Sequence, residues 1–349
     1  MTRYIIFGAG AVGGVIGARL FEAGRDVVLI ARGPHLDAIR ERGLTLQTPL
    51  GSNTFRIPAV GHPSEIQFTP DDVVLLTMKT QHTESALDDL RAVRSRPSWS
   101  TTAAGDGIPI VCAQNGVENE RIAARRFTRV YGMMVWLPAT YLEPGLVQAN
   151  AAPINGVLDT GSYPTGVDAL IERVAADIDA SGIASKAVPD IMRWKYAKLL
   201  SNLGNAIQAA CDPADDARPL YARVREEALA CYRAAGIEHA SDEEQGARRT
   251  AMSRMAPIAG SRRGGGSTWQ SLARGAGSVE TDYLNGEIAL LGRLHGVPTP
   301  ANEALQRIAA RMARDGTPPG SMRVADIERE IASRTPAAAQ REQQTGAGQ

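Results

Sequence analysis

The run YIIFGAGAVGGVIGARLFEAG, residues 4–24, starts apolar, passes through closely spaced glycines and continues with helical spacing to Gly24. An apolar, β-rich stretch over 4–10 and an amphipathic stretch over 11–24 together read as strand, turn and helix. Gly8, Gly10 and Gly13 form G-x-G-x-x-G at that junction. Alone the pattern is weak, since a chain with 35 glycines can produce it by chance. After a strand and at the start of a helix it has a mechanism. Gly8 permits the tight turn, Gly10 lets the backbone approach a pyrophosphate, and Gly13 lets helix and strand pack closely. The phosphates then face the helix N-terminus. Gly8, Ala9, Gly10, Ala11, Val12 and Gly13 are therefore the candidate cofactor-binding turn.

Further apolar runs follow at 26–32, 71–79, 108–116 and 129–137, with helical segments between them. Near-continuous apolar strands alternating with helices indicate a parallel sheet covered on both faces. Residues 141–160, with EPG followed by alternating residues, are expected as a hairpin added to that sheet. The second strand ends LIARGPH, with no carboxylate for a ribose 2′-hydroxyl and with Arg32 where a 2′-phosphate would sit. A guanidinium fork suits phosphate, which favours NADP(H) over NAD(H); the alternative is an exposed arginine in a polar turn. MKTQ (78–81) and QNG (114–116) follow the next two strands at their carboxyl ends, where open parallel sheets bind ligands. Lys79 and Asn115 are thus candidate contacts to the ribose or nicotinamide, or else ordinary turn residues.

From about residue 189 only helical periods appear, over 190–210, 219–236, 278–296 and 302–316. SRRGGGSTWQS (261–271) is too rich in glycine for a helix and is expected as a loop. The fold class expected is an α/β Rossmann-type parallel-sheet N-terminal domain (1–187) and an all-helical C-terminal domain (188–333). The tail 334–349 lacks apolar periodicity and is expected to be disordered.

The first helix of the second domain carries WKYAKLLSNLGNAI (194–207). At about 100° per residue, Asn202 falls near +40° and Asn205 near −20° from Lys198. Lys198, Asn202 and Asn205 then form one polar stripe. Lys195, about 60° away, sits at the edge of the apolar face as a surface charge or a secondary contact. An ammonium over two amides can hydrogen-bond a ketone oxygen and deliver a proton to it. The competing reading is a solvated stripe on a surface helix.

Lys+Arg and Asp+Glu both number 38, so a neutral chain offers no bulk attraction for nucleic acid or an anionic membrane. No apolar stretch approaches a membrane span, and the N-terminus does not read as a signal peptide. Three cysteines and five histidines show no ligand spacing, so no metal is expected and the cytosol is the expected compartment.

Several of these motifs converge. GAGAVG, ARG, MKTQ, QNG, EPG, WKYAKLLSN and ETDYLNGEIALLGRLHGVPTPAN (280–302) resemble the ketopantoate reductase (2-dehydropantoate 2-reductase) family over roughly residues 3 to 332. The resemblance implies a helical domain of the 6-phosphogluconate dehydrogenase C-terminal type. It implies NADPH-dependent reduction of 2-dehydropantoate to (R)-pantoate, or of a closely related 2-oxo acid, by a protein that often dimerises. By the same resemblance Lys198 is the general acid, and Glu280 is a second catalytic residue, acidic and near ribose and substrate, that could pair with Lys198. Asn115, Asn202, Asn205 and Ser267 are substrate contacts, and the glycine turn, Lys79, Asn115 and Glu280 are cofactor contacts. Asn205 stands one residue earlier than the family's second asparagine, whose position is Ala206 here. Two other readings are a related two-domain hydroxyacid or opine-type dehydrogenase and a non-catalytic NADPH-binding redox sensor.

Overall fold

A computed structural model describes residues 2–94, 107–250, 252–258 and 264–333. The expected disordered tail and part of the expected 261–271 loop lie outside the described residues. Seven strands make the main sheet: β1 (Arg3–Phe7), β2 (Asp26–Ile30), β5 (Ala59–Val60), β6 (Asp72–Leu76), β7 (Ile110–Cys112), β8 (Val130–Trp136) and β12 (Val157–Ser162). Their order is β12-β8-β7-β6-β1-β2-β5, all parallel except β12, which runs antiparallel to β8. The order turns back at β1 and β6, so their carboxyl ends form the switch point of a doubly wound sheet.

Side chains alternate across this sheet as a pleat requires. On one face Tyr4, Ile6, Val73 and Leu75 pack with Val15, Ile16 and Leu20 of α1 (Ala11–Glu22) and with Ile171, Val174 and Ile178 of α5 (Ala169–Asp179). On the other, Ile5, Phe7, Val74 and Leu76 meet Leu87 and Leu90 of α3 (Thr83–Arg94) and Ile122 of α4 (Asn119–Ala124). The remaining helix of the first half, α2 (Gly33–Arg42), follows β2 directly.

A second sheet was not foreseen from the sequence. It has the order β4-β3-β10-β9, with β3 (Leu44–Thr48), β4 (Gly51–Phe55), β9 (Ala139–Thr140) and β10 (Leu146–Ala149). Helix α1 lies between the two sheets, and its extra glycines show it. A Cβ on Gly14 would stand 2.7 Å from Val147 of β10, and one on Gly17 would stand 2.6 Å from Leu29 of β2. The expected hairpin at 141–160 is therefore corrected to three separate strands. β10 joins the second sheet, β11 (Ala151–Pro153) pairs with β13 (Ser253–Met255), and only β12 joins the main sheet. β13 also corrects the expectation of no strand beyond residue 189. Its three residues are too few to carry a period.

The helices of the second half are α6 (Ile191–Asn202), α7 (Gly204–Ala210), α8 (Arg218–Ala235), α9 (Asp242–Thr250), α10 (Ser267–Ala273), α11 (Asn285–His295), α12 (Pro300–Asp315) and α13 (Val324–Ala332). Two expectations are corrected here. Residues 194–207 are not one helix: it stops at Asn202 and restarts at Gly204. Gly204 is packed so closely that a Cβ would stand 2.4 Å from the Tyr221 ring of α8. The expected loop at 261–271 ends sooner, because α10 begins at Ser267. Its glycines make room for an indole instead: Cβ atoms on Gly264 and Gly265 would lie 2.0 and 2.5 Å from Trp269.

The chain forms two compact units, Met1–Leu199 with Glu238–Arg263, and Leu200–Ile237 with Gly264–Gln349. The expected division at 187/188 puts all of α6 in the helical half, whereas its first turns pack in the sheet unit. The segment from Glu238 returns there through Arg248, which pairs with buried Asp159 at 2.6 Å, and through Glu244, which pairs with Arg193 at 2.8 Å. Among the described residues no helix is long and apolar enough to cross a membrane.

Candidate active site

In the sheet unit the glycine turn caps the switch point. Gly8 has φ +107°, and a Cβ there would lie 2.9 Å from the Met78 backbone nitrogen, so glycine is required twice over. A Cβ on Gly13 would lie 2.3 Å from Thr77 Oγ1 and 2.4 Å from the Gly8 carbonyl oxygen. A Cβ on Gly10, by contrast, would meet no protein atom within 4 Å. Packing does not demand a glycine at that position, and the space beside it is open to the approach of a ligand. The turn therefore fits a dinucleotide.

Two residues that hold this turn were missed from sequence. Thr77, directly after β6, donates its hydroxyl toward the carbonyls of Phe7 (3.0 Å) and Gly8 (2.8 Å). His35 of α2 is buried, with Nε2 2.7 Å from the Ala9 carbonyl oxygen and Nδ1 accepting the Gly145 N–H at 2.9 Å. The Gly145 bond fixes the tautomer, so Nε2–H donates to Ala9. Gly145 is the glycine of EPG, which gives that motif a structural reason. Their only signals were a threonine closing an apolar run and the histidine that ends ARGPH.

Burial lowers the His35 pKa below its ordinary 6.5. As pH falls through about 6.5 the unfolded chain takes up a proton that the folded ring resists, so stability falls on acidification. A His35→Gln variant, whose amide can both donate and accept, should lose less melting temperature than the parent between about pH 7 and pH 5. Thermal denaturation at both pH values checks this; parallel losses in the two proteins would refute it.

At the carboxyl ends of β2 and β6, the charges of Arg32 and Lys79 gather beside His82. His82 is pushed down in pKa, first by burial and then by the charges of Arg32 and Lys79. The Arg32 side chain is 65% exposed, with Nη2 4.0 Å from Asp89 Oδ2. His62 lies on the same carboxylate at 3.5 Å. This cluster suits an anionic group beyond the β2 end.

The turns after β6 and β7 are joined by a buried polar network. Gln114 donates to the Met78 carbonyl (2.8 Å) and to Thr83 Oγ1 (2.9 Å). Thr83 donates to Asn119 Oδ1 (2.8 Å), and Asn119 Nδ2 reaches Thr80 Oγ1 (3.0 Å) and the Asn115 carbonyl (3.1 Å). MKTQ and QNG thus form one rigid rim, with Lys79 and Asn115 both partly exposed on it. Sequence reading named those two as candidates and named none of the four residues that hold the turns.

The two lysines of α6 have opposite fates. Lys198 is partly exposed. Lys195, expected as a surface charge or a secondary contact, is 2% exposed and pairs with fully buried Glu120 at 2.6 Å. Burial raises the Glu120 pKa, an effect that the Lys195 charge opposes. Removing one member of such a pair costs about 3–5 kcal/mol. Among the described residues no group of three or more His, Cys, Asp or Glu side chains could hold a metal ion.

The helical unit holds the other candidates. Asn202 and Glu280 are buried at 3% and 4% exposure, while Asn205 and Ser267 are partly exposed. Asn205 faces the residue before Ser267, since a Cβ on Gly266 would lie 3.2 Å from its Oδ1. Gln208, missed from sequence, accepts the Gly266 N–H at 2.8 Å. In the ETDYLNG and PAN motifs the asparagines are structural. Asn285 donates to the Leu203 carbonyl (3.3 Å) and to Asn302 Oδ1 (3.1 Å), and Asn302 donates to Glu227 (2.8 Å).

A glycine turn at the switch point of a doubly wound sheet, followed by a helical unit, is the build of two-domain nicotinamide-nucleotide proteins. Residues 4–164 match the ketopantoate reductase PanE/ApbA family and residues 190–313 match the family's C-terminal domain, so the chain belongs to that family. It is 30% identical to a 2-dehydropantoate 2-reductase of Mesorhizobium japonicum, covering 89% of this chain and 98% of that one. With the enzyme of that name from Archaeoglobus fulgidus it shares 28% identity, over 87% and 96% of the two chains. The match to the Pyrococcus horikoshii 2-dehydropantoate 2-reductase, 30% identical, spans 60% of that protein's length. Among solved structures, a PanE/ApbA family ketopantoate reductase from Ralstonia eutropha superposes with TM-score 0.71 at 27% identity, covering 90% of this chain and 99% of that one. D-mandelate dehydrogenase superposes with TM-score 0.72 at 21% identity, over 90% and 99% of the chains, which is a likeness of fold.

Proposed function

We propose that the protein is an NADPH-dependent reductase of 2-dehydropantoate, giving (R)-pantoate, or of a closely related 2-oxo acid. The observation that carries this is the placing of Lys198. It lies one helical turn beyond Lys195, whose ammonium sits on the Gln114 carbonyl beside Asn115. The Lys198 backbone thereby stands about 4.5 Å further along the α6 axis than Lys195 and about 60° round it. The glycine turn, Lys79 and Asn115 would hold the nucleotide, with Arg32 toward its 2′-phosphate. When bound, the nicotinamide supplies hydride to C2 of the substrate.

In this reading the Lys198 ammonium stabilises negative charge on the ketone oxygen and gives it a proton, leaving a neutral amine that water reprotonates. Asn115, Asn202, Asn205 and Ser267 orient the substrate, and Glu280 contacts ribose and substrate. Three free, buried cysteines accord with a cytosolic setting. Leu290 and Leu294, exposed one turn apart on α11, accord with self-association.

Loss of NADPH absorbance with 2-dehydropantoate and a panel of branched 2-oxo acids tests the reading. Tight NADPH binding with no oxidation by any of them would favour a sensor. Arg32 is tested separately. Arg32→Ala should raise the Kd for NADPH by about 10- to 100-fold, the worth of a charge-assisted hydrogen bond, and leave NADH within about twofold. Equal weakening of both nucleotides would remove Arg32 from the 2′-phosphate.

A further inference from the structure

The ladder between β7 and β8 ends at the Cys112–Gly132 pair, and beyond it the backbone carbonyls of the two strands lose each other as partners. Lys195 stands at that point. Besides Glu120 Oε1, its Nζ lies 2.9 Å from the Gln114 carbonyl oxygen, 3.4 Å from that of Met133 and 3.5 Å from that of Cys112. An ammonium has three donors, and these acceptors exhaust them. Lys195 therefore has no proton to offer a substrate.

The site is shaped for the pair. Gly132 lies in the interior of β8, where a glycine weakens a strand unless something approaches closely. A Cβ there would stand 3.3 Å from Glu120 Oε1 and 3.4 Å from Lys195 Cδ. Glu120 belongs to α4, which opens directly after the Asn115 turn. The ion pair thus ties three things within the sheet unit: the turn carrying Asn115, the helix behind that turn, and the helix carrying Lys198.

We propose that the buried Lys195–Glu120 pair is a positioning device for turnover, fixing the Asn115 turn and the rotation and pitch of α6, and through α6 the placing of Lys198. The inference rests on the proposed role of Lys198. A reacting group displaced by about 1 Å can lose roughly 10²-fold in rate. Lys195 and Glu120 are positioning residues, since neither is free to touch substrate.

Lys195→Met alone strands a buried carboxylate and is expected to fold poorly, so the decisive protein is the double variant Lys195→Met/Glu120→Leu. It removes both charges together and keeps the volume, which leaves the melting temperature near that of the parent. Its kcat should fall about 10- to 100-fold while the Kd for NADPH stays within about twofold. Hydrogen–deuterium exchange at residues 113–118 should quicken about tenfold, with exchange in the glycine turn unchanged. Parental exchange at 113–118 overturns the proposal, and so does parental turnover in the variant. If the parent itself reduces none of the 2-oxo acids, the proposed function fails, and the exchange rates still judge the clamp on their own.

Discussion

Lys198→Ala should lower kcat by about 10²- to 10⁴-fold while the Kd for NADPH stays within about twofold of the parent. The large effect is expected because one group both stabilises the developing alkoxide and protonates it. No neighbouring cation on α6 can replace it. Lys195 is one turn away, but its ammonium is committed to Glu120 and to backbone carbonyls. The small effect on binding is expected because Lys198 is not among the proposed nucleotide contacts, which are the glycine turn, Arg32, Lys79, Asn115 and Glu280. Steady-state kinetics with the best 2-oxo acid of the panel, beside a fluorescence titration with NADPH, separates the two quantities. Turnover within about threefold of the parent would take the proton-donor role from Lys198.

Gly13→Ala and Gly10→Ala should fail in different ways. At Gly13 the new Cβ must displace the Thr77 hydroxyl or the Gly8 carbonyl, at 2.3 and 2.4 Å, and both belong to the turn itself. Overpacking of this kind costs about 1–3 kcal/mol, and the turn that moves is the one that receives phosphate. Gly13→Ala should therefore lose stability and NADPH affinity together. At Gly10 no protein atom lies within 4 Å, so the methyl group meets no clash and costs only the N-cap preference for glycine over alanine, about 1 kcal/mol or less. NADPH affinity should nonetheless fall at least about tenfold, because the methyl group occupies the line of approach of the pyrophosphate. Melting curves and NADPH titrations of both variants check this. Unchanged NADPH affinity in Gly10→Ala would remove the pyrophosphate from that position.

Much of the sheet unit was legible because its signals are local. β1, the turn and α1 follow one another within 20 residues, and each has its own period. The apolar runs at 26–32, 71–79, 108–116 and 129–137 became β2, β6, β7 and β8. The second sheet was not legible. LTLQT alternates, but its apolar side faces a helix that the sequence had already spent on the first sheet, and only Gly14 against Val147 betrays the sharing. EPG read as a hairpin because a turn signal does not name the partners of the strands beside it. The break at Leu203 was hidden too, since the polar stripe and the apolar residues of 194–207 fit one continuous helical period.

For the candidate site, the sequence alone determined which residues offer chemistry: the glycine turn, an arginine in place of an acid after β2, polar residues at strand ends, and lysines and amides on one helix. It also carried the motifs that place the chain in its family. Only the tertiary structure decided that Lys195 is buried in an ion pair while Lys198 stays partly exposed. It also decided that Asn285 and Asn302 serve the packing of helices, and that His35, Thr77, Gln114 and Asn119 hold the turns. The reason is physical. A residue type states what a side chain can donate or accept, whereas its availability depends on partners brought from distant parts of the chain. Glu120 and three backbone carbonyls consume Lys195, and no spacing within WKYAKLLSN could report them.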